Sequence, residues 1–155
     1  MALDLSPPEL GKFISAYKAL DFIESGMKLG LGTGSTAAWL VKLLAYEINN
    51  NGLVISACAT SSETTKLAES LGIKISQLDE LGQLDLAIDG ADEFDQSLNL
   101  IKGGGAALLQ EKIVETAADK LVIITDASKQ VNDLGAFDSP VEVVKFGWET
   151  TKRLI

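Results

Sequence analysis

Short, largely apolar segments recur along this chain, and each ends in glycine, hydroxyl or acidic residues. They cover residues 28–32, 53–59, 84–88 and 121–125, with a shorter one at 73–75. Stretches with helical spacing of apolar residues separate them. Several segments are apolar throughout, which is typical of parallel strands covered on both faces. The pattern predicts an α/β fold class, with a mostly parallel open sheet and helices on both faces.

A change of pattern near the carboxyl end defines the predicted domain organisation. A Ser-Pro-Pro start at residues 6–8 predicts a first helix, and we expect a Rossmann-like domain over residues 1–136. Residues 141–144 then predict a strand of a different setting, and 147–155 the start of a helix. Residues 137–155 are therefore predicted to begin a small C-terminal subdomain of α+β character.

The balance of charges argues against a polyanionic partner. The chain has 13 Lys+Arg and 22 Asp+Glu residues, a formal net charge of −9, and its basic residues are scattered singly. A protein that follows a phosphate backbone needs clustered cations, so we expect no nucleic-acid partner. The sequence contains no apolar run of about 18 residues and no basic leader before an apolar stretch. We expect no membrane partner and a cytoplasmic location.

The absence of histidine limits the available chemistry. A serine or cysteine nucleophile activated by imidazole and a histidine-based zinc site are both excluded. Any proton transfer must use carboxylates or lysines. The single cysteine, Cys58, lies in an apolar segment, where a small buried side chain is expected rather than a reactive thiol.

Four polar segments follow predicted strands and are expected to meet at one edge of the sheet. They lie at residues 33–36, 60–62, 89–92 and 126–129. In open α/β sheets, ligands bind outside the carboxyl ends of the strands. This clustering is the main functional signal in the sequence.

The first of these segments suits a phosphate group. Thr33, Gly34, Ser35 and Thr36 offer backbone N–H groups and three hydroxyls at a predicted helix start. A glycine-rich turn with capping hydroxyls is the plain alternative. A Gly-x-Gly-x-x-Ala run that starts at Gly32 is also a variant of the dinucleotide fingerprint, which leaves NAD binding open. The acidic residue expected about 20 positions later is missing, however.

Two further segments offer charged groups. The segment 89–95 carries four carboxylates, for which a solvated loop and a Mg²⁺ or Ca²⁺ site are the alternatives to a residue of perturbed pKa. Lys102 precedes three glycines at the start of a helix predicted over about 106–118, where the backbone can approach an anion closely, unless the loop is simply flexible. Glu111 lies within that helix, opposite an apolar stripe formed by Leu109, Ile113 and Ala117. Its position alone predicts a solvated carboxylate.

Taken together, four ordered motifs resemble those of one enzyme family. They are GLGTGSTA at 30–37, DGADE at 89–93, IKGGGAALLQEKI at 101–113 and TDASK at 125–129. The chain is similar to ribose-5-phosphate isomerase, type A, over nearly its whole length. The resemblance implies an aldose–ketose isomerase of the pentose phosphate pathway that interconverts ribose 5-phosphate and ribulose 5-phosphate through an enediolate. It also implies no metal and no other cofactor, and a homodimer or higher homo-oligomer.

The resemblance assigns roles to single residues, which stand as expectations. Glu111 matches the general base, Lys102 a cation beside the developing oxyanion, and Asp89 a carboxylate that relays protons at the sugar oxygens. The implied base replaces the solvated interpretation of Glu111. The residues that the resemblance implies for substrate binding are Thr33, Gly34, Ser35, Thr36, Gly90, Ala91, Asp92, Gly103, Gly104, Gly105, Lys129 and Lys12.

The resemblance has one departure, because members of the family continue well past residue 155. The lid and the dimer surface would then be incomplete in this chain. Two other classes stay open beside the isomerase: a catalytically silent sugar-phosphate-binding module and a dinucleotide-binding domain. Related hexosamine-phosphate isomerases and sugar-lactone hydrolases commonly use a histidine, which this chain lacks.

Overall fold

The structure of the protein is a computed structural model that describes residues 5–136 and 141–155. The helices are α1 (Pro7–Ala19), α2 (Ser35–Asn51), α3 (Ser62–Ser70), α4 (Leu78–Leu81), α5 (Leu108–Thr116) and α6 (Trp148–Leu154). The strands are β1 (Lys28–Leu31), β2 (Ser56–Ala59), β3 (Leu86–Asp89), β4 (Glu93–Phe94), β5 (Leu100–Ile101) and β6 (Leu121–Ile123). Short 3₁₀ helices cover Leu20–Phe22 and Ala127–Lys129.

Four parallel strands form the central sheet in the order β2-β1-β3-β6. The register pairs Leu31 with Ala59 and with Ile88, and Asp89 with Ile123, so all four strands end at the same edge. The chain leaves β1 toward β2 on one side and returns to β3 on the other. Ligands of open α/β sheets bind where the order reverses in this way. The predicted α/β fold with a mostly parallel sheet is confirmed.

Each face of the sheet packs against its own helices. On one face, Leu29 and Leu31 join the buried residues Leu40, Val41 and Leu44 of α2, and α1 packs outside α2. On the other face, a smaller cluster unites Cys58 and Leu84 with Val114 of α5. This second cluster fixes α5 against the sheet, and burial raises the pKa of the Cys58 thiol, as expected for an inert core cysteine.

Three local expectations about secondary structure are wrong. The segment predicted as a strand at 141–144 has no regular structure, because within the described ranges no strand pairs with it. The segment at 73–75 contributes a single bridge between Ala57 and Ile75. The helix expected from about residue 106 begins at Leu108, after a turn over the glycines, so those glycines do not open it.

The division of the chain between residues 136 and 137 stays a prediction, since residues 137–140 lie outside the described part. In that part, no helix has the length and apolar character needed to cross a bilayer.

The close contact between β1 and α5 depends on Gly30. A Cβ at this position would lie 2.5 Å from Val114 Cγ1 and 3.2 Å from Ala87 Cβ. We expect Gly30→Ala to lower the free energy of unfolding by about 1–3 kcal/mol, because it overpacks this interface. Urea denaturation measures the loss.

Two variants control this test. Gly105→Ala adds a Cβ that meets only Thr33 Cγ2 at 3.9 Å, so it should leave the stability nearly unchanged. Adding Val114→Ala to Gly30→Ala should recover part of the loss, because it removes the methyl group that clashes. Equal stability of Gly30→Ala and wild type would show that the interface is loose.

Candidate active site

Residues from α1, from the loops after β1, β3 and β6, and from the chain between Lys102 and Glu111 line one cavity at the carboxyl edge of the sheet. The lining side chains and backbone come from Lys12, Thr33, Gly34, Ser35, Thr36, Asp89, Gly90, Ala91, Asp92, Lys102, Gly103, Gly105, Glu111, Thr125, Asp126 and Lys129. Every residue predicted for catalysis or substrate binding is among them except Gly104. The backbone N–H of Gly104 instead donates to Asp92 Oδ2 at 2.7 Å, within the wall of the cavity.

The loop after β1 presents hydrogen-bond donors to this cavity. Gly34 is the N-cap of α2 and has φ 104°, a conformation that favours glycine. The N–H groups of the first helical turn have no partner within the helix, and Ser35 and Thr36 place hydroxyls beside them. Thr33 is fixed by a 2.7 Å hydrogen bond between its hydroxyl and that of the buried Thr60. The arrangement suits a phosphate group.

Two lysines stand near this loop, each beside a carboxylate. Lys12 Nζ lies 2.7 Å from Glu9 Oε1, while Trp39 Nε1 donates to the other oxygen of Glu9 at 2.9 Å. The hydrogen bond from Lys12 lowers the pKa of Glu9, and Trp39 adds to the effect. Lys129 follows Asp126, whose side chain accepts from Ser128 N at 2.8 Å. Lys12 therefore reaches the cavity from the middle of α1, and Lys129 reaches it from the short 3₁₀ helix after β6.

Asp89, the last residue of β3, is held against the backbone of the loop after β1. Its Oδ1 accepts from Thr33 N at 3.0 Å and from Gly90 N at 2.7 Å. Position 32 lies against Asp89, and only glycine fits there, since a Cβ at this position would lie 2.6 Å from Asp89 Cα. Gly32 was not predicted as a site residue, and its place in the Gly-x-Gly run was the available signal.

The other oxygen of Asp89 belongs to a buried cluster around Lys102. Lys102 Nζ lies 3.1 Å from Asp89 Oδ2, 3.3 Å from Glu111 Oε2 and 3.1 Å from Glu115 Oε1. It also donates to Gly90 O at 2.7 Å. All four side chains are at least nine-tenths buried. One ammonium group therefore faces three carboxylates, and little of any of the four side chains is exposed to solvent.

This crowding changes the acidity of two groups. Burial raises the pKa of Glu111, and the charge of Asp89 acts in the same direction, whereas Lys102 opposes both. Burial alone would lower the pKa of Lys102, but the carboxylates, Asp89 foremost, raise it above its ordinary value. Glu111 is therefore a stronger base than a solvated carboxylate, and Lys102 keeps its charge.

The helix α5 turns a different face inward from the one predicted. The apolar residues Leu109 and Ile113 are about half exposed, while the buried positions are Glu111, Val114 and Glu115. The prediction that Glu111 is a solvated carboxylate is thus wrong. Glu115 was not singled out, although its spacing of four residues from Glu111 places it on the same side of the helix.

The four carboxylates at 89–95 are not one site. Asp89 and Asp92 line the cavity, whereas Glu93 accepts from Gly135 N at 2.8 Å. Asp95 closes the turn between β4 and β5 by accepting from Ser97 N and Asn99 N at 2.8 and 2.9 Å. A metal site built from all four is not supported. Thr125 and Asp126 also line the cavity and were not predicted for binding.

Removing the buried charge of Glu111 should stabilise the protein above its raised pKa. Because the folded state holds the proton more tightly than the unfolded state, wild type loses stability as pH rises from about 4.5, the ordinary value, through the folded pKa. Glu111→Gln does not titrate and keeps the shape. At pH 8 we expect the free energy of unfolding of Glu111→Gln to exceed that of wild type by on the order of 1 kcal/mol.

The measurement is chemical denaturation of both proteins between pH 4 and pH 8. The difference in unfolding free energy between Glu111→Gln and wild type should shrink as pH falls. A difference that grows toward low pH would show that the carboxylate is stabilised, not strained, by its surroundings. Glu80→Gln, an exposed charge-matched change, is the control.

Known proteins share both the sequence and the fold of this chain. The sequence profile of the family Ribose 5-phosphate isomerase A (phosphoriboisomerase A) matches residues 56–155. The curated ribose-5-phosphate isomerase A of Dinoroseobacter shibae is 57% identical over 155 residues, and that of Cereibacter sphaeroides is 58% identical. Each alignment covers 100% of this chain but 60% and 59% of the relative, so the chain spans about three fifths of their length.

Solved structures agree with these matches. A D-ribose-5-phosphate isomerase in complex with phospho-erythronic acid superposes with a TM-score of 0.92 at 40% identity, covering 96% of this chain and 66% of that one. The ribose 5-phosphate isomerase A of Methanocaldococcus jannaschii gives 0.88 at 40% identity, covering 94% and 65%. Sequence, fold and motifs therefore agree, and the chain belongs to the ribose 5-phosphate isomerase A family.

Proposed function

We propose that the protein is an aldose–ketose isomerase that interconverts ribose 5-phosphate and ribulose 5-phosphate through an enediolate. The observation that carries the proposal is one cavity lined by a donor-rich loop for a phosphate and by a buried carboxylate of raised pKa beside a fixed ammonium. The names of the relatives support the same reaction.

In this proposal Glu111 is the general base. It takes the proton from C2 of the open-chain aldose, and the electron pair of that C–H bond forms the C1–C2 double bond of the enediolate. The same carboxyl group then returns the proton to C1, which gives the ketose. A positioned base of this kind typically contributes about 10²–10⁴-fold to the rate. The raised pKa of Glu111 increases the driving force for the first transfer.

In the same proposal, Lys102 and Asp89 act on the oxygens bound to C1 and C2 of the sugar. As the C1 carbonyl becomes an enediolate oxygen, negative charge develops there, and the ammonium of Lys102 stabilises it in a site where water does not screen the charge. Asp89, fixed by two backbone N–H groups, relays the proton between the oxygens on C1 and C2. The same carboxylate assists the opening of the sugar ring.

The remaining cavity residues bind the substrate. Thr33, Ser35, Thr36 and the N–H groups after Gly34 hold the phosphate, assisted by nearby lysines. Lys12 and Lys129 are these lysines, and Asp92 binds sugar hydroxyls. Backbone groups of the two loops complete the set, namely those of Gly90, Ala91, Gly103 and Gly105, while Gly104 acts through its hydrogen bond to Asp92. The bound phospho-erythronic acid of the related structure carries a phosphate and a carboxylate, which fits a cavity with this pair of features.

The oligomeric state and the location belong to the proposal as well. We propose a homodimer or higher homo-oligomer in the cytoplasm, with no nucleic-acid or membrane partner. The net charge of −9 supports the absence of a polyanion partner.

The test follows hydrogen exchange in D₂O with this chain, ribose 5-phosphate and a chelator. Proton NMR should show deuterium incorporated at C2 of ribose 5-phosphate and at C1 of ribulose 5-phosphate. Glu111→Gln should lower the exchange rate at least about 10²-fold, because no other carboxyl group is proposed to reach C2. Melting-temperature shifts caused by ribose 5-phosphate should persist in this variant.

Two outcomes would contradict the proposal. Exchange in Glu111→Gln at a rate close to wild type would remove Glu111 from the reaction. A chain that is stabilised by ribose 5-phosphate but exchanges nothing would be the silent binding module. Thr36→Val, which removes one hydroxyl from the phosphate loop, serves as the matched binding variant and should weaken the melting shift instead.

A further inference from the structure

We propose that Glu115 is a positioning residue of this site, which lies outside the cavity lining, holds the ammonium group of Lys102 and places a further negative charge beside Glu111. The inference deepens the proposed function and rests on it for its catalytic consequence. None of the four motifs includes Glu115, which lies two residues past the end of the third motif.

The placement of Glu115 separates it from the residues that meet substrate. Asp89, Lys102 and Glu111 line the cavity, but Glu115 does not. Its side chain is 5% exposed, and its Oε1 lies 3.1 Å from Lys102 Nζ. Because it comes one helical turn after Glu111, the same helix presents both carboxylates to the same ammonium. Glu115 therefore reaches the reaction only through Lys102 and Glu111.

The charges in the cluster do not balance when all three carboxyl groups are ionised. The groups that face Glu115 are Lys102 after β5, Asp89 at the end of β3, and Glu111 on its own helix. One oxygen from each carboxylate lies within 4.8 Å of the other two, yet a single ammonium compensates them. Like charges this close in a buried site cannot all stay ionised without a large cost. This crowding therefore acts together with burial, which raises the pKa of Glu111.

The charge of Glu115 has a direct consequence for the base. A negative neighbour raises the pKa of Glu111, in the same direction as burial and Asp89. Removing that charge leaves two carboxylates for one ammonium, so Glu111 releases its proton at lower pH and becomes a weaker base. Without Glu115, Lys102 also loses one of the contacts that fix its ammonium beside the cavity. Both changes slow proton transfer without touching the substrate.

The decisive experiment titrates Glu111 directly. The carboxyl carbons of glutamate are labelled with ¹³C in the full chain, and the signal of Glu111 is assigned by its loss in Glu111→Gln. In Glu115→Gln the titration midpoint of Glu111 should fall by about one pH unit, the scale of coupling between such close groups. Glu115→Asp, which keeps the charge, should restore most of the shift. The exposed Glu80→Gln should leave the midpoint unchanged.

A second neutral variant keeps the test decisive if Glu115→Gln does not fold. Glu115→Leu fills the buried volume with apolar atoms and leaves two carboxylates, Asp89 and Glu111, to compensate the ammonium of Lys102. It should lower the midpoint of Glu111 in the same way. An unchanged midpoint in either folded neutral variant overturns the proposal and leaves Glu115 a structural residue.

The activity profile provides an independent readout. The acidic limb of kcat/KM for ribose 5-phosphate should move to lower pH in Glu115→Gln, with a severalfold lower plateau of kcat and a KM within about twofold of wild type. A large change in KM with an unmoved limb would contradict the assignment. If wild type shows no exchange or turnover, the proposed function fails for this chain, while the titration of Glu111 still decides the role of Glu115.

Discussion

The site depends on one ammonium group buried among three carboxylates. The charge of Lys102 compensates the three carboxylates of Asp89, Glu111 and Glu115. If that charge were absent, these groups would have to bind protons or leave the interior, because uncompensated buried charges are costly. The cluster also joins three elements, since its members come from β3, the end of β5 and α5. The interaction that creates the chemistry therefore also holds the walls of the cavity together.

This cluster can form because β1 carries little bulk on the side that faces it. Gly30 lets Val114 approach the sheet, and Gly32, just past the strand, lets Asp89 lie against the backbone. The first contact fixes the depth of α5, and the second fixes the direction of the Asp89 carboxylate. Larger residues would move both groups away from Lys102. These two glycines, one in β1 and one just past it, thus determine where the acidic groups meet.

The sequence predicted the sheet and most cavity residues because both follow from local rules. Continuous apolar strands and polar segments at their ends required only one assumption, that parallel strands end at a common edge. The inward face of α5 was not predictable in this way, because periodicity favoured Leu109 and Ile113 while Lys102 draws Glu111 and Glu115 inward. The strand expected at 141–144 failed because pairing depends on a partner, which apolar composition does not reveal.

The charge differs between the two ends of the cavity. At the phosphate loop, Lys12 and Lys129 are each offset by a nearby acid, and the surplus attraction comes from backbone N–H groups. Around Lys102 the surplus is negative. The carboxylates around Lys102 thus repel an anionic group, whereas the backbone N–H groups of the loop attract one. The cavity of this anionic protein therefore has an anion-accepting end at the loop and an acidic end at Lys102, which favours a single orientation of a ligand that carries one anionic group.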